Sequence, residues 1–360
     1  MKHGYNIRSL LASSLVITSL VACSGLPDQT QKFDQYIDPE ITGKERSVMR
    51  ELMAAIPEQY LNEPIVYVTA DGKAHSNRTD VEELVTYERD PMTGKFVDEK
   101  GNSIVPSSSA PSDELSAQNL SDSAITSCSL LDGAYRRMYT KIGGKSGPYG
   151  MPDGEYLAYH KAIFGLRGPE SIRVDSDRET AYAFIGGNGR IAPNGSALDA
   201  GFLWNPGTST GFNRGWALFM QHNGDDTQSL QVRWPGNQDF TAELFVLADR
   251  PDHIMLRGVA DISGEPQPRS LVIDGITNDR FSNSVTDWGS GGYLINFKQT
   301  VSLTGPLTTD SYFRGTTITG TRIGRNSSTS HLLRSEDVAS VCESPDSKIS
   351  VIGGAISINK

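Results

Sequence analysis

Residues 198–275 read LDAGFLWNPGTSTGFNRGWALFMQHNGDDTQSLQVRWPGNQDFTAELFVLADRPDHIMLRGVADISGEPQPRSLVIDG and decide the fold class. Short apolar segments recur in this stretch, separated by turn residues, at 198–204, 216–220, 230–234, 242–247, 254–259 and 271–273. Short strands that recur about every dozen residues are typical of antiparallel sandwiches and barrels. The stretch therefore predicts a mostly β protein.

Further strands are predicted on both sides of this stretch. The additional candidate segments are 134–141, 156–164, 172–174, 180–185, 293–302, 311–318, 331–333 and 349–358. Gly and Asn cluster between them, for example at 186–189 and 289–292, and these residues tolerate the positive φ of tight turns. No strong helical pattern interrupts the series, so we expect one β-rich domain over 127–360.

Three short motifs resemble the concanavalin-like and jelly-roll domains of uncharacterised secreted bacterial proteins. They are DAGF at 199–202, GWAL at 215–218 and IMLRG at 254–258. The resemblance implies an antiparallel β-sandwich, of jelly-roll or concanavalin-like type. It also implies a fold often used for carbohydrate recognition, although a fold alone does not give function.

The N-terminus carries a secretion address. Lys2 and Arg8 precede an apolar run that is too short to span a bilayer comfortably. The run ends in LVAC at 20–23, which resembles the lipobox of bacterial lipoproteins. The resemblance implies a signal peptide over 1–22 and acylation of Cys23, and several acyl chains anchor a protein firmly. An ordinary cleaved signal, with Cys23 as a spectator, is the alternative.

A lipid anchor implies an extracytoplasmic protein on the cell membrane or the outer membrane. In lipoproteins of bacteria with two membranes, a residue other than Asp after the acylated Cys usually implies the outer membrane, and Ser24 stands there. The formal net charge of −10 argues against a nucleic-acid partner, because phosphate binding needs clustered Lys and Arg. The expected membrane contact is therefore through the anchor.

Between the anchor and the β-rich domain we expect three regions. Residues 23–41 are polar and predict a tether. Residues 42–105 predict a small helix plus a β module or stalk, since Thr42 and Glu45 have the spacing of a capping box and apolar residues then repeat every four positions. Residues 106–126 are Ser-rich and predict a flexible linker.

Two Cys remain after Cys23, and they flank the β-rich region. Cys128 and Cys342 predict a disulfide, because an even pair in an exported protein is typically oxidised. The first and last strands of a jelly roll commonly lie side by side, which fits this placement. Two free thiols are the alternative.

Aromatic and amide side chains near strand ends are the candidate ligand-binding residues. Sugars pack their apolar ring faces on aromatic rings and hydrogen-bond to neighbouring polar groups. Trp216 falls in mid-strand and is expected in the core, whereas Ala217, Phe219 and Gln221 are expected on the opposite face of that strand. The ligand-binding candidates are Trp204, Asn205, Trp234, Asn237, Asp287 and Trp288.

Metal and cofactor signals are weak. Asp175, Asp177 and Glu179 alternate like calcium ligands in some extracellular loops, and they are the candidate Ca²⁺ residues. They do not complete a calcium-loop pattern, and solvated turns are the alternative. No zinc motif is present in the sequence, and no other cofactor is expected.

No catalytic residue is predicted. The GTSTG letters at 207–211 match G-x-S-x-G, but that motif needs a strand-to-helix elbow, and here it lies between two predicted strands. We therefore expect a binding domain for glycan or another cell-envelope ligand. A glycan-active hydrolase or lyase on the same fold and a structural envelope or adhesion protein are the two alternatives.

Overall fold

The computed structural model consists of two large β-sheets packed face to face. It describes residues 29–80, 84–89, 92, 96–98, 103–104, 125–127, 133–140, 159–174, 179–189, 196–205, 215–222, 227–230, 233–247, 250–274, 294–305, 308–324, 326–344 and 348–360. The predicted mostly β fold and the sandwich architecture are confirmed.

The strands of the sandwich cover most of the described residues. In chain order they are β1 (Ile65–Val68), β2 (Ala74–Ser76), β3 (Leu84–Arg89), β4 (Phe96–Val97), β5 (Ser103–Ile104), β6 (Ile125–Ser127), β7 (Gly133–Thr140), β8 (Tyr159–Leu166), β9 (Ile172–Arg173), β10 (Ala181–Gly189), β11 (Ser196–Asn205), β12 (Gly215–His222), β13 (Thr227–Leu230), β14 (Gln238–Leu247), β15 (Arg250–Ile262), β16 (Glu265–Ile273), β17 (Leu294–Thr304), β18 (Tyr312–Gly324), β19 (His331–Leu332), β20 (Val338–Glu343), β21 (Lys348–Ile352) and β22 (Ala355–Asn359).

Each sheet mixes strands from distant parts of the sequence. Sheet A has the order β2-β1-β16-β15-β14-β8-β18-β22-β21, with β9 and β19 also paired to β18. Sheet B has the order β5-β4-β3-β13-β12-β11-β10-β17-β7-β20-β6. Almost all neighbours are antiparallel; β1 with β16 and β6 with β20 are parallel.

The segment 198–275 is divided between the two sheets. Strands β11 to β13 belong to sheet B, and β14 to β16 belong to sheet A. A backbone bridge between Trp216 and Trp234 marks the place where the chain passes from one sheet to the other. The third strand was predicted at 230–234, but β13 covers Thr227–Leu230, residues 231–232 lie outside the described residues, and Trp234 makes an isolated bridge.

The main core lies between the sheets. Alternate residues of each strand point inward, as the two-residue period of a strand requires. On β12 the buried residues Trp216, Leu218 and Met220 face this core, which confirms the expected place of Trp216. The edge-to-face contact of Phe164 on sheet A with Phe202 on sheet B, with ring centroids 6.1 Å apart, joins the two layers.

A second apolar cluster covers the outer face of sheet A. Helix α1 (Gly43–Met53) buries Met49, Leu52 and Met53 there, against Phe245 and Met255 of the sheet. The predicted helix is confirmed, and its apolar residues pack on the sandwich as amphipathicity requires.

The predicted capping box of helix α1 is wrong. Thr42 is the N-cap residue, but its side chain makes no capping hydrogen bond. The carboxylate of Glu45 instead contacts the ring Nδ1 of His75 at 2.6 Å and accepts a hydrogen bond from the backbone N–H of Ser76. Glu45 therefore ties the helix to strand β2.

The predicted boundaries before residue 127 need correction. Residues 42–105 do not form a separate module, because β1 and β2 extend sheet A while β3 to β5 extend sheet B. The predicted tether over 23–41 is ordered from Gln29, where a 3-10 helix (Gln29–Tyr36) buries Phe33. Most of the linker predicted for 106–126 lies outside the described residues. No described helix is long and apolar enough to cross a membrane.

The region of the predicted disulfide is partly described. Cys342 is buried on β20, and Thr126 of β6 lies opposite it in parallel register. Cys128 follows β6 directly in the sequence but lies outside the described residues. The pairing of Cys128 with Cys342 therefore stays a prediction, as do the signal peptide and Cys23, which also lie outside them.

Candidate functional site

A line of polar side chains crosses the outer face of sheet B, the face turned away from the core. The strands align these residues in one continuous register row, each directly opposite the next across the ladder. We call this set the polar row; its members are Tyr139, Lys298, Asp199, Gln221, Thr227 and Tyr87. Gly186 of β10 occupies the row between Lys298 and Asp199.

Lys298 and Asp199 form an ion pair across the intervening strand. The Lys298 Nζ lies 2.5 Å from Asp199 Oδ1, and both side chains are at most 2% exposed. Two buried charges are costly to remove from water and require precise mutual placement. A buried charged pair on a face separate from the core therefore marks a candidate functional site.

Gly186 makes this ion pair sterically possible. A Cβ atom at residue 186 would lie 3.1 Å from Lys298 Cε and 1.9 Å from the carbonyl oxygen of Leu198. The missing side chain leaves space for Lys298 to extend over β10 toward Asp199. The run at 186–189, predicted as a turn, is in fact the end of strand β10.

Arg137 places a second cation beside the polar row. Its Nε donates to Thr300 Oγ1 at 2.9 Å, and its Nη1 donates to the Tyr139 hydroxyl at 3.2 Å. Burial opposes the charge of Arg137, but Tyr139 and the carboxylate of Asp199 outweigh it and raise the pKa of the guanidinium. Arg137 therefore stays protonated at every physiological pH.

Aromatic rings form the neighbouring part of the same face. Tyr182, Phe184 and Phe219 pack on one another, with the Tyr182 and Phe219 centroids 5.2 Å apart. Burial raises the pKa of Tyr182 well above its ordinary value, and Tyr87 and Asp199 raise it further. The face thus combines apolar rings with cations, a carboxylate, an amide and hydroxyl groups.

Solvent reaches the polar row at one described end. Tyr139 is half-buried, whereas the other members are buried. The Tyr139 hydroxyl can donate and accept hydrogen bonds. The two cations behind it, Arg137 and Lys298, are at most 2% exposed.

Two of the predicted stacking residues lie in the main core instead. Trp204 packs edge-to-face on Trp216 at 5.5 Å, and Trp234 packs in the same way on Phe202 and Phe240. Trp204 and Trp234 are each 3% exposed, so neither ring offers a face to a sugar. Large apolar area favours burial, and this outweighed their position near strand ends.

The predicted polar neighbours of these Trp residues have structural roles or are not described. Asn205 ends β11 opposite Gly215. Asn237 has a φ of 69°, and its Oδ1 accepts a hydrogen bond from the backbone N–H of Gly168. Asn237 therefore holds a turn, and Asp287 and Trp288 lie outside the described residues.

The predicted calcium site is not supported at Glu179. This buried carboxylate pairs with Lys360 Nζ at 2.9 Å and accepts hydrogen bonds from Thr309 and Ser311. The Lys360 ammonium thus occupies the position that a calcium ion would take beside this carboxylate. Asp175 and Asp177 lie outside the described residues, and within the described part of the chain no group of three or more His, Cys, Asp or Glu could hold a metal.

A second polar cluster lies on the outer face of sheet A. Glu243 contacts Arg257, Lys161 and the hydroxyls of Tyr159 and Tyr60, at distances of 2.8 to 3.3 Å. Burial opposes ionisation of Glu243, but Lys161, Tyr159 and Arg257 outweigh it and lower the pKa of the carboxyl. Each carboxylate oxygen already has two donors, so this cluster serves structure.

A cavity of about 290 Å³ lies next to this cluster. Its wall is mostly apolar, with Ile56, Pro57 and Phe245, and the rings of Tyr60 and Tyr159 also line it. The tyrosine hydroxyls are bound to Glu243, so they do not point to a ligand of particular chemistry. The polar row is the better candidate site.

The polar row carried only a weak signal in the sequence. Alternation along β12 placed Ala217, Phe219 and Gln221 on the face opposite the core residues, which is correct. No spacing rule connects Gln221 with Lys298 or Arg137, because they come from three strands far apart in the chain. Only the strand order brings them together.

The sequence matches no protein-family model, and no curated protein is similar to it at a significant level. Among solved structures, scytalido-glutamic peptidase with a transition-state analogue inhibitor is similar over 63% of this chain and 98% of its own, with 11% identity and a TM-score of 0.35. SCP-B, a member of the eqolisin family of peptidases, has the same coverage, 12% identity and a TM-score of 0.31. The marine PL-14 alginate lyase from Aplysia kurodai is similar over 47% of this chain and 80% of its own, with 12% identity and a TM-score of 0.22. Similarities of this strength carry no information on the activity of the chain.

Proposed function

We propose that this protein binds a glycan chain on the outer face of sheet B. The observation that carries the proposal is the polar row, in which the buried Lys298–Asp199 pair continues into Gln221. The half-buried hydroxyl of Tyr139 offers a hydrogen bond to a sugar hydroxyl at one end of the row. The buried groups behind it, with the rings of Tyr182 and Phe219, hold that end of the face in place.

We further propose that the protein acts outside the cytoplasm, on a lipid anchor at Cys23. The lipobox-like LVAC at 20–23 supports this. A Cys128–Cys342 disulfide is part of the same proposal, and the parallel pairing of β6 with β20 supports it by bringing Thr126 opposite Cys342. Mass spectrometry of the non-reduced protein tests both modifications; an unmodified Cys23 and two free thiols contradict them.

The glycan proposal is tested on an array of soluble polysaccharides, followed by titration calorimetry with the best binder. The variant Tyr139→Phe keeps the ring of the half-buried row member but removes its hydroxyl, and we expect about tenfold weaker binding for the loss of one polar contact. Tyr312→Phe, at the start of β18 on sheet A, is the matched control and leaves the affinity unchanged. Equal affinity for Tyr139→Phe and the parent protein contradicts the proposal.

Turnover of the glycan is the second candidate function. The contact of the Tyr139 hydroxyl with Arg137 at 3.2 Å favours it, because a hydroxyl beside a cation is suited to proton transfer. New reducing ends in an incubated polysaccharide identify a hydrolase or lyase, and ultraviolet absorbance of an unsaturated product identifies the lyase. If no glycan on the array binds, the structural or adhesion role replaces both.

A further inference from the structure

We infer that the buried pair of Lys298 and Asp199 is a modification site, at which the two side chains condense to an amide that cross-links strands β17 and β11. The distance between the two groups, their burial and their place in the sheet carry the inference. It goes beyond glycan binding and does not depend on it.

The amine and the carboxyl group lie within reach of a bond. Lys298 Nζ is 2.5 Å from Asp199 Oδ1. A carbon–oxygen bond of about 1.2 Å then places the amine nitrogen within about 3.7 Å of the carboxyl carbon. Reacting atoms held about 3–3.5 Å apart are close to an attacking geometry, and holding them there removes most of the entropic cost of joining two groups.

The sheet keeps the two groups together. Strand β10 runs between β17 and β11, and its Gly186 lies directly opposite both Lys298 and Asp199 in the register. A Cβ atom at residue 186 would lie 3.1 Å from Lys298 Cε, so the glycine leaves the path open for the lysine side chain. An amide here would join two strands that are not hydrogen-bonded neighbours, and it would span the strand between them.

The surroundings favour condensation. Both side chains are at most 2% exposed, and the buried rings of Tyr182, Phe184 and Phe219 lie on the same face. Two charges that are removed from water carry a large desolvation cost, whereas an amine, a carboxylic acid and an amide are neutral. Exclusion of bulk water also limits hydrolysis of the product.

The step needs no oxidant, reductant or second reactant. A proton passes from Nζ to the carboxylate and leaves a neutral amine beside a carboxylic acid. The nitrogen lone pair attacks Asp199 Cγ, a carbon–nitrogen bond forms, and negative charge develops on a carboxyl oxygen. The carbon–oxygen bond to the hydroxyl then breaks, and this hydroxyl leaves as water with a proton from the nitrogen.

Two neighbours of the pair support this chemistry. The carboxylate of Asp199 attracts the charge of Arg137, and the same attraction stabilises the negative charge that develops during the attack. Tyr139 lies opposite Lys298 in the register and is half-buried. The released water can therefore leave at the end of the polar row that solvent reaches.

Another buried lysine–carboxylate pair is held differently. Lys360 Nζ lies 2.9 Å from Glu179 Oε1 and also donates to the carbonyl oxygens of Thr304 and Gly305, at 2.8 and 3.0 Å. These acceptors match the three N–H donors of an ammonium group, so the nitrogen keeps its proton and has no lone pair for attack. This pair is an internal control.

Peptide mass spectrometry of the reduced, denatured full chain tests the inference. Without an amide, trypsin releases Asp199 in peptide 191–214 and Lys298 in peptide 281–298. A lysine that is part of an amide is not cleaved, so we expect peptide 191–214 joined to peptide 281–314, lighter than their sum by one water. The presence of the two separate peptides at their sequence masses, with no joined peptide, overturns the inference.

Two variants locate the bond. Lys298→Arg keeps the cation but removes the amine, so the joined peptide should disappear. Lys360→Arg is the matched control and should leave the joined peptide in place. If Lys298→Arg fails to fold, fragment ions of the joined peptide from the parent protein decide, because they identify the linked residues. A link at any other pair of residues, or one that persists in Lys298→Arg, overturns the inference and leaves the glycan proposal untouched.

Discussion

The two outer faces of this sandwich both bury charged side chains, but they do so in different ways. On sheet A, Arg257 forms a two-pronged ion pair with Glu63 at 2.6 Å and also binds Glu243, so the charges connect the N-terminal segment to the sheet. On sheet B, the contact between Lys298 and Asp199 stays within the sheet.

This difference separates a structural cluster from a candidate binding site. The sheet A cluster joins two layers, and its carboxylate oxygens are fully used by donors from both. The described part of the sheet B cluster consists of sheet residues alone, such as Tyr182, Phe184 and Phe219. Polar groups that connect layers stabilise the fold, whereas the polar row lies along one face of a single sheet and ends at the half-buried Tyr139.

Removing Arg257 is expected to have the largest effect. Arg257→Ala leaves Glu243 and Glu63 as buried or half-buried carboxylates without their guanidinium, which costs about 3–5 kcal/mol of unfolding free energy. Urea denaturation followed by circular dichroism measures the loss. The exposed Arg314→Ala is the control, with an expected change of about 0.5 kcal/mol or less. If Arg257→Ala loses no more unfolding free energy than Arg314→Ala, the sheet A cluster does not stabilise the fold.

The second prediction concerns pH and the layer between the two faces. Burial lowers the pKa of His160 to about 3, whereas an unfolded His titrates near 6.5. The unfolded chain therefore binds a proton that the folded chain rejects, so stability is full above pH 6.5 and falls as the pH drops toward 3. The loss is about 3 kcal/mol at pH 4.

Denaturation at pH 7, 6 and 5 checks this slope. His160→Gln should remove most of it, since Glu243 and Asp337, whose pKa values are lowered, lose protein-stabilising charge only at more acidic pH. If the slope is unchanged in His160→Gln, the pH dependence of stability comes from groups on one of the outer faces and not from His160 in the core.

The third prediction tests the gap in the polar row. Gly186→Ala places a methyl group against the carbonyl of Leu198 and close to Lys298, so we expect a loss of about 1–3 kcal/mol and weaker glycan binding. Gly264→Ala is the control: its φ of 85° costs about 1 kcal/mol, but no atom lies within 4 Å and binding should persist. If Gly186→Ala binds glycan as tightly as the parent protein, the gap at residue 186 has no role in recognition.

The sequence was sufficient for most strands, because short apolar segments and Gly-rich turns have local causes. The Gly353-Gly354 turn between β21 and β22 and the Gly72 turn between β1 and β2 are such local features, with positive φ at each glycine. The division into modules failed because β1 pairs with β16 and β3 with β13. Pairings between such distant segments leave no local trace in composition.

The candidate site was much harder to predict. Trp204 and Trp234 attracted attention as aromatic residues near loops, but their apolar area places them in the core. Gln221 was assigned to the correct face by strand alternation, whereas Lys298 and Arg137 gave no signal. Their significance depends on which strands are neighbours, and sheet order is a property of the whole fold.

The long-range pairing of the first strands sets an order of folding. Strand β1 completes its parallel partnership only when β16 is in place, and β3 needs β13. The N-terminal residues emerge first during synthesis, yet they can join the sheets only after most of the chain has arrived. Contacts so distant in sequence slow folding and leave the unpaired edges of β13 and β16 exposed in the meantime. Until β1 and β3 arrive, these two edges are the places where another chain could add a strand.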